Sequence, residues 1–360
     1  MNWLLENGTP DEAAELCDQL YVWWMSVGMA EELGVWAQCA YSRGTRNELL
    51  AARLALIVGR VHGRKDRFAE SDEMLQIARR KFQAAGDNDG VIHALSSLIE
   101  NLVHESRLLD AVEVAGEITE ITNDSGSHEV KCRALHARCW LEGSLGNHKA
   151  AIEIGLSLAS EAHAAGLVEF EAKTLADLAW IGRSCGEYER ALKWAQNSST
   201  IAHEAATGGA VVSACTELAY AYLCLGRVSE SIEAVRTALI YRSGDDLSPS
   251  SVQRLALALA VGASMLEDKE TELLANNLVA VAASANQAIG VWVGDQQLVE
   301  ERFKEIMDRS SPALLGATQV EVVRTARKVA LHLGRIGEAS QRSDSDKREP
   351  VALGTDQTSY

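Results

Sequence analysis

Proline is almost missing from this chain of 360 residues: there are four, and none lies between Asp11 and Ser248. So few breakers, alongside abundant alanine, leucine and glutamate, favour helix. Cations are also scarce. Thirty-four lysines and arginines face 51 aspartates and glutamates, a net charge of −17, which argues against binding of nucleic acid or anionic lipid by the chain as a whole. No apolar run approaches the length needed to span a bilayer, so neither a nucleic acid nor a membrane is expected as partner. HExxH, GxGxxG and CxxC are all absent, as is GxxxxGK[ST]. No motif pair suggests catalysis, and a non-enzyme without cofactor or metal is expected. The seven cysteines are odd in number and scattered, with no secretory signal before them, which fits buried thiols in a reducing, cytoplasmic setting.

What the chain has instead is a repeat. Asp66, Ser106, Gly146, Gly186, Gly226 and Leu266 stand 40 residues apart. Eleven residues before each comes an apolar or sulfur side chain: Ala55, Leu95, Leu135, Leu175, Cys215, Leu255. Five after each comes a small one: Ser71, Ala111, Ala151, Ala191, Ser231, Thr271. Twelve after stand Ala78, Ile118, Leu158, Ser198, Ala238 and Leu278. A pair of short amphipathic helices around a breaker cannot bury its apolar faces alone, so copies must stack. A small residue at one fixed place lets two helices approach closely.

The predicted fold is all-α: a right-handed superhelix of antiparallel helix pairs with a 40-residue period. Residues 1–46 form an atypical N-terminal hairpin, opening at Pro10 and Asp11 and turning at Gly28, rich in Trp3, Trp23, Trp24 and Trp36. Residues 47–289 carry six repeats, with a longer connection at 243–250. Residues 290–334 hold two capping helices, about 296–309 and 318–333. The polar segment 335–360 is expected to be disordered.

CGEYERALKWAQ at 185–196 is similar to the second half of a tetratricopeptide repeat, and LAYAYLCLGRVSESIEAVRTAL at 218–239 fits both of its helices. The long period resembles the arrays of bacterial signal-transduction ATPases that regulate transcription. WLLENGTPDEAAELCDQLYVWWMSVGMAEE resembles the start of such an array, and Gly294, Phe303, Gly316 and VEVVRTARKVAL resemble its end. Nothing after Leu333 looks like the LuxR-type helix-turn-helix of some relatives. The resemblance implies a sensor or docking module without the ATPase itself.

Three offsets fall on one face of each first helix, opposite its apolar rows. They contribute Arg53, Arg133 and Lys173; then Arg60, Trp140, Trp180 and Tyr220; and Arg64 and His104. His136 and Arg183 lie on the same side. This is a cationic stripe with three aromatics in an acidic protein. Tetratricopeptide grooves hold extended peptides or partner segments on this face, so the resemblance points to a partner protein or peptide there. Arginine and lysine would pair with carboxylates, and tryptophan and tyrosine would anchor apolar groups. The expected contact surface is Arg53, Arg60, Arg133, His136, Trp140, Lys173, Trp180, Arg183 and Tyr220. Against it stands the plainer expectation that the tryptophans fill space between neighbouring helices. His128, Cys132, His136 and Cys139 share one helix at possible metal-ligand spacing, but a tetrahedral site needs ligands from more than one element. The other functions considered are a small-molecule or peptide-pheromone receptor, with its ligand between Trp140 and Trp180, and a scaffold that dimerises through the N-terminal hairpin.

Overall fold

The computed structural model describes residues 2–27, 29–122, 127–205, 208–241 and 249–265. Among the described residues there are fourteen helices and no strand. Three precede the array: α1 (Asn2–Asn7), α2 (Pro10–Val27) and α3 (Ala30–Arg43). Five pairs follow: α4 (Glu48–Arg64) with α5 (Phe68–Ala85), α6 (Asn88–His104) with α7 (Leu108–Thr122), α8 (His128–Ser144) with α9 (His148–Ala164), α10 (Val168–Ser184) with α11 (Tyr188–Glu204), and α12 (Gly208–Cys224) with α13 (Val228–Tyr241). Helix α14 (Pro249–Met265) opens the next pair. The second helix of the sixth repeat, the turn at Gly28, the connection 243–248, the two capping helices and the polar tail lie outside the described residues.

The spacing of the repeat is visible residue for residue: the first helices of the five pairs begin at 48, 88, 128, 168 and 208. The anchor row is the corner of each pair. Asp66, Ser106, Gly146, Gly186 and Gly226 all take positive φ, from 56° to 82°. The residue after each anchor closes the same bond back into the helix, as from Arg67 N to His62 O and from Glu187 N to Gly182 O, both near 3 Å. This is the glycine-favoured helix ending of the Schellman type, and the first two corners make it without glycine. The small row does what its sizes imply. Ser71, Ala111, Ala151, Ala191 and Ser231 are all buried where the two helices of a pair meet, and Ser71 Oγ donates to Gly59 O at 2.7 Å. Phe82, Leu95, Leu98 and Ile118 fill the core from α4 to α8, and Leu178, Val211, Leu239 and Leu255 fill it from α8 to α14.

The N-terminal hairpin is more elaborate than a single helix pair. Thr9 and Glu12 form a reciprocal cap, Thr9 N donating to the Glu12 carboxylate at 2.8 Å and Glu12 N to Thr9 Oγ1 at 3.2 Å. That starts α2 at Pro10 and separates it from α1. Arg43 at the end of α3 donates to the carbonyls of Leu5 and Gly8 at 2.6 and 2.9 Å, tying α1 down.

The first helices line the concave side, and the curve is tight. Lys173 of α10 reaches Glu100 of α6, two pairs away, at 3.4 Å. Helix α2 lies against α12 across the concave side. No helix among the described residues is long and apolar enough to cross a membrane.

Candidate functional site

Two adjoining cavities occupy this concave side. One, of about 270 Å³, is walled by Arg60, Glu100, His104, His136, Trp140, Lys173, Asp177, Trp180, Ser213, Glu217 and Arg254 among others. The other, of about 280 Å³, is walled by Tyr21, Glu129, Arg133, Leu167, Val168, Glu169 and Phe170. Arg60, Arg64, Glu100, His136 and Lys173 border both. Their common wall is a chain of polar contacts between helices. Lys173 and His136 Nδ1 each approach Glu100 Oε1 at 3.4 Å, and His136 Nε2 donates to Asp177 at 2.8 Å. Burial works against the charge on Glu100, but Lys173 and the bond from His136 outweigh it and hold its carboxyl well below the ordinary range. Burial and Lys173 likewise oppose protonation of His136. The bonds to Asp177 and Glu100 prevail and raise its pKa, so an acceptor at each ring nitrogen favours the imidazolium.

Of the nine residues expected at the contact surface, six border a cavity: Arg60, His136 and Lys173 both, Trp140 and Trp180 the first, Arg133 the second. The tryptophans also do what the plainer expectation held. Trp140 and Trp180 are 6% and 4% exposed and pack into the core between helices. Gly143 makes room for the Trp180 ring, since a Cβ there would come within 2.9 Å of it. Arg53 stands apart, half-exposed and paired with Asp18 at 2.6 Å.

Two expectations are corrected. Tyr220 and Arg183 do not face the groove; both are buried. Glu217 draws them in: it accepts from Arg183 Nη2 at 2.8 Å and from Arg254 Nη2 at 2.6 Å. The two guanidiniums lie over the Tyr220 ring, 4.8 and 5.4 Å from its centre, and its hydroxyl donates to Arg254 O at 3.0 Å. The second correction concerns charge. The inner curve is not uniformly positive, because Asp66, Glu100, Asp177 and Glu217 interleave with the cations around the first cavity.

No protein-family model and no curated protein matches the chain. Among solved structures it is similar to a Rap protein complexed with competence and sporulation factor, with a TM-score of 0.57 at 12% identity over 93% of this chain and 99% of that one. It is also similar to a signal-transduction ATPase with numerous domains from Pyrococcus horikoshii that carries a tetratricopeptide-repeat sensor. There the TM-score is 0.52 at 15% identity, over 84% of this chain and 51% of that one. The fold is a tetratricopeptide-like solenoid. At these identities the likeness is one of fold, and the chain spans about half the length of the ATPase.

Within the solenoid the supposed metal-ligand helix disperses its side chains. His128 pairs with Glu161 at 2.6 Å, Cys139 donates to Ala151 O at 3.3 Å, and Cys132 packs with Leu158 and Ala162. Among the described residues no group of three His, Cys, Asp or Glu side chains could hold a metal ion. Burial pushes the thiols of Cys17 and Cys215 up to about 12 and 11, which keeps them protonated. Sequence reasoning passed over Asp177, Glu217, Arg254, Tyr21 and Phe170. Asp177 and Glu217 could have been found, since each stands nine residues before its anchor glycine.

Proposed function

We propose that this solenoid is the sensor or docking module of a bacterial, cytoplasmic ATPase-type transcriptional regulator, and that it captures an extended peptide or partner segment along its concave channel. The observation that carries this reading is the convergence of the first helices on two adjoining cavities that share one wall. Each cavity alone is at the low end of the ~300–1,000 Å³ typical of small-molecule pockets, so a segment lying across both is favoured over a compact ligand. The Rap protein was solved with competence and sporulation factor bound, and the similar ATPase carries a repeat array of this fold as its sensor. Both support the reading. In a full-length regulator, capture would bias the ATPase between resting and active states. No chemistry is assigned to the chain itself.

Panning a random linear heptapeptide library against the full chain tests it. Ser213, half-buried on the wall of the first cavity, can be replaced by Trp to obstruct the channel while leaving the core indoles in place. Selected peptides should bind the wild type and lose at least tenfold in affinity against Ser213→Trp. Failure to select any, or binding indifferent to that substitution, would sink the reading.

A second reading is self-association through the N-terminal hairpin. Trp3 and Trp23 are 68% and 56% exposed, and Val35 is 57% exposed, an unusual outlay of large apolar surface. A Trp3→Ser, Trp23→Ser variant should sediment as a smaller species than the wild type; identical profiles would dismiss it.

A further inference from the structure

The second cavity holds two guanidiniums with few close carboxylates. Among the described residues Arg60 makes no ion pair, and the nearby Glu100 that feels its charge is engaged by Lys173 and His136. Its Nη1 donates to His93 Nε2 at 2.6 Å, and it lies over the Tyr21 ring at 5.6 Å. An imidazole nitrogen that accepts from arginine is neutral. Burial, with Arg133 and Arg60 nearby, keeps His93 so by holding its pKa well below the ordinary value. Arg133 is only 14% exposed at its side chain and lies over the Phe170 ring at 5.2 Å. Its carboxylate partner, Glu129 at 2.8 Å, is one turn back on the same helix and more than half exposed, a type of pair worth little. Burial and the charge of Arg60 make it harder for Arg133 to hold its proton. Two like charges therefore crowd a sheltered crevice between aromatic faces, where an anion would be strongly favoured.

We propose that Arg60 and Arg133 receive the terminal carboxylate of a peptide whose last side chain is apolar or aromatic, with Tyr21 and Phe170 as the side walls. This deepens the channel reading and rests on it. The charge balance calls for an anion. Arg60, Arg64, Arg133, Lys173 and His136 border the cavity against Glu100, Glu129 and Glu169, and with His136 drawn toward its imidazolium the cations exceed the carboxylates. The apolar wall, rather than the charge count, favours a carboxylate beside an apolar side chain over phosphate. The planar fork of arginine suits a carboxylate, and Leu167, Val168 and Phe170 offer the apolar wall. Tyr21 belongs to α2, so the receptor is completed by the N-terminal hairpin rather than by the repeats alone.

The probes are N-acetylphenylalanine, N-acetylphenylalaninamide and inorganic phosphate, titrated calorimetrically into the full chain. The acid should bind at least tenfold tighter than the amide, and phosphate should not displace it. Arg60→Gln and Arg133→Gln should each bring acid and amide to equal affinity. If Arg133→Gln fails to fold, Arg60→Gln decides. Equal affinities in the wild type, a preference surviving Arg60→Gln, or stronger binding by phosphate would overturn the proposal. If the acid fails to bind while panning still yields peptides sensitive to Ser213→Trp, this proposal falls and the channel reading stands; if neither binds, both fall.

Discussion

The two ends of the channel use the same row of first helices to opposite effect. At the α10–α14 end, Glu217 sits between Arg183 and Arg254 with the Tyr220 ring beneath them, so that each guanidinium has a buried carboxylate partner. At the α4–α8 end, Arg60 and Arg133 occupy the equivalent inner face beside a cavity, with a neutral imidazole and one exposed glutamate as their partners. The backbone scaffold is one and the same, since the helices begin 40 residues apart at both ends. The difference lies in side chains alone: a carboxylate placed nine residues before the corner closes one end, and its replacement by Ile57, Ser97 and Ala137 in the earlier repeats leaves the other end open. A repeat fold thus provides equivalent seats, and individual residues decide which become core and which remain available to a ligand.

The sharpest way to break that contrast is to remove a carboxylate from each end. Glu217→Ala strands two buried guanidiniums and should cost about 3–5 kcal/mol of unfolding free energy. Glu100→Ala, at a side chain 32% exposed beside a cavity, should cost about 1 kcal/mol. Equal losses in denaturant titrations would show the two ends to be alike.

Acid should sharpen the comparison next. Burial holds His104 down to about 4, where it packs between Phe68 and Trp140. The unfolded chain therefore takes up this proton first. The stability contribution of neutral His104 is complete above about pH 6.5 and is lost as pH falls toward 4, by about 3 kcal/mol. His136 runs the other way: its pKa is raised, so its contribution is full below about pH 6.5 and fades as pH rises through the folded value. His104→Gln should flatten the acid limb of a stability–pH curve, and a curve unchanged by that substitution would contradict the packing described.

The fold was largely legible in the sequence because each corner, small residue and buried row recurs at a fixed step. Even Asp66 and Ser106, which carry no glycine signal, were placed by their register with Gly146, Gly186 and Gly226. The site was legible only in part. Spacing along one helix put Trp140, Trp180 and Lys173 on the inner face, but the partners that decide burial lie on neighbouring helices. Arg183 and Glu217 are 34 residues apart, as are Tyr220 and Arg254, and no periodicity within one helix reveals such pairs. Tyr21 was beyond reach because the hairpin that carries it is out of register with the repeats.

The smallest expected effect concerns those corners. Ser106 holds φ 60°, a conformation costly for a residue with a side chain. Ser106→Gly should raise the melting temperature, a gain of about 0.5–1 kcal/mol after allowing for the greater freedom of glycine when unfolded. Gly186→Ala, at the equivalent corner of the closed end, should lower it by a similar amount.

The touch between α2 and α12 turns the array into a clasped ring. A segment captured as proposed would have to thread in from an open end or wait for the clasp to part. Capture and escape would then both be slow, and trimming away α1–α3, which also removes the Tyr21 wall, would speed escape more than capture.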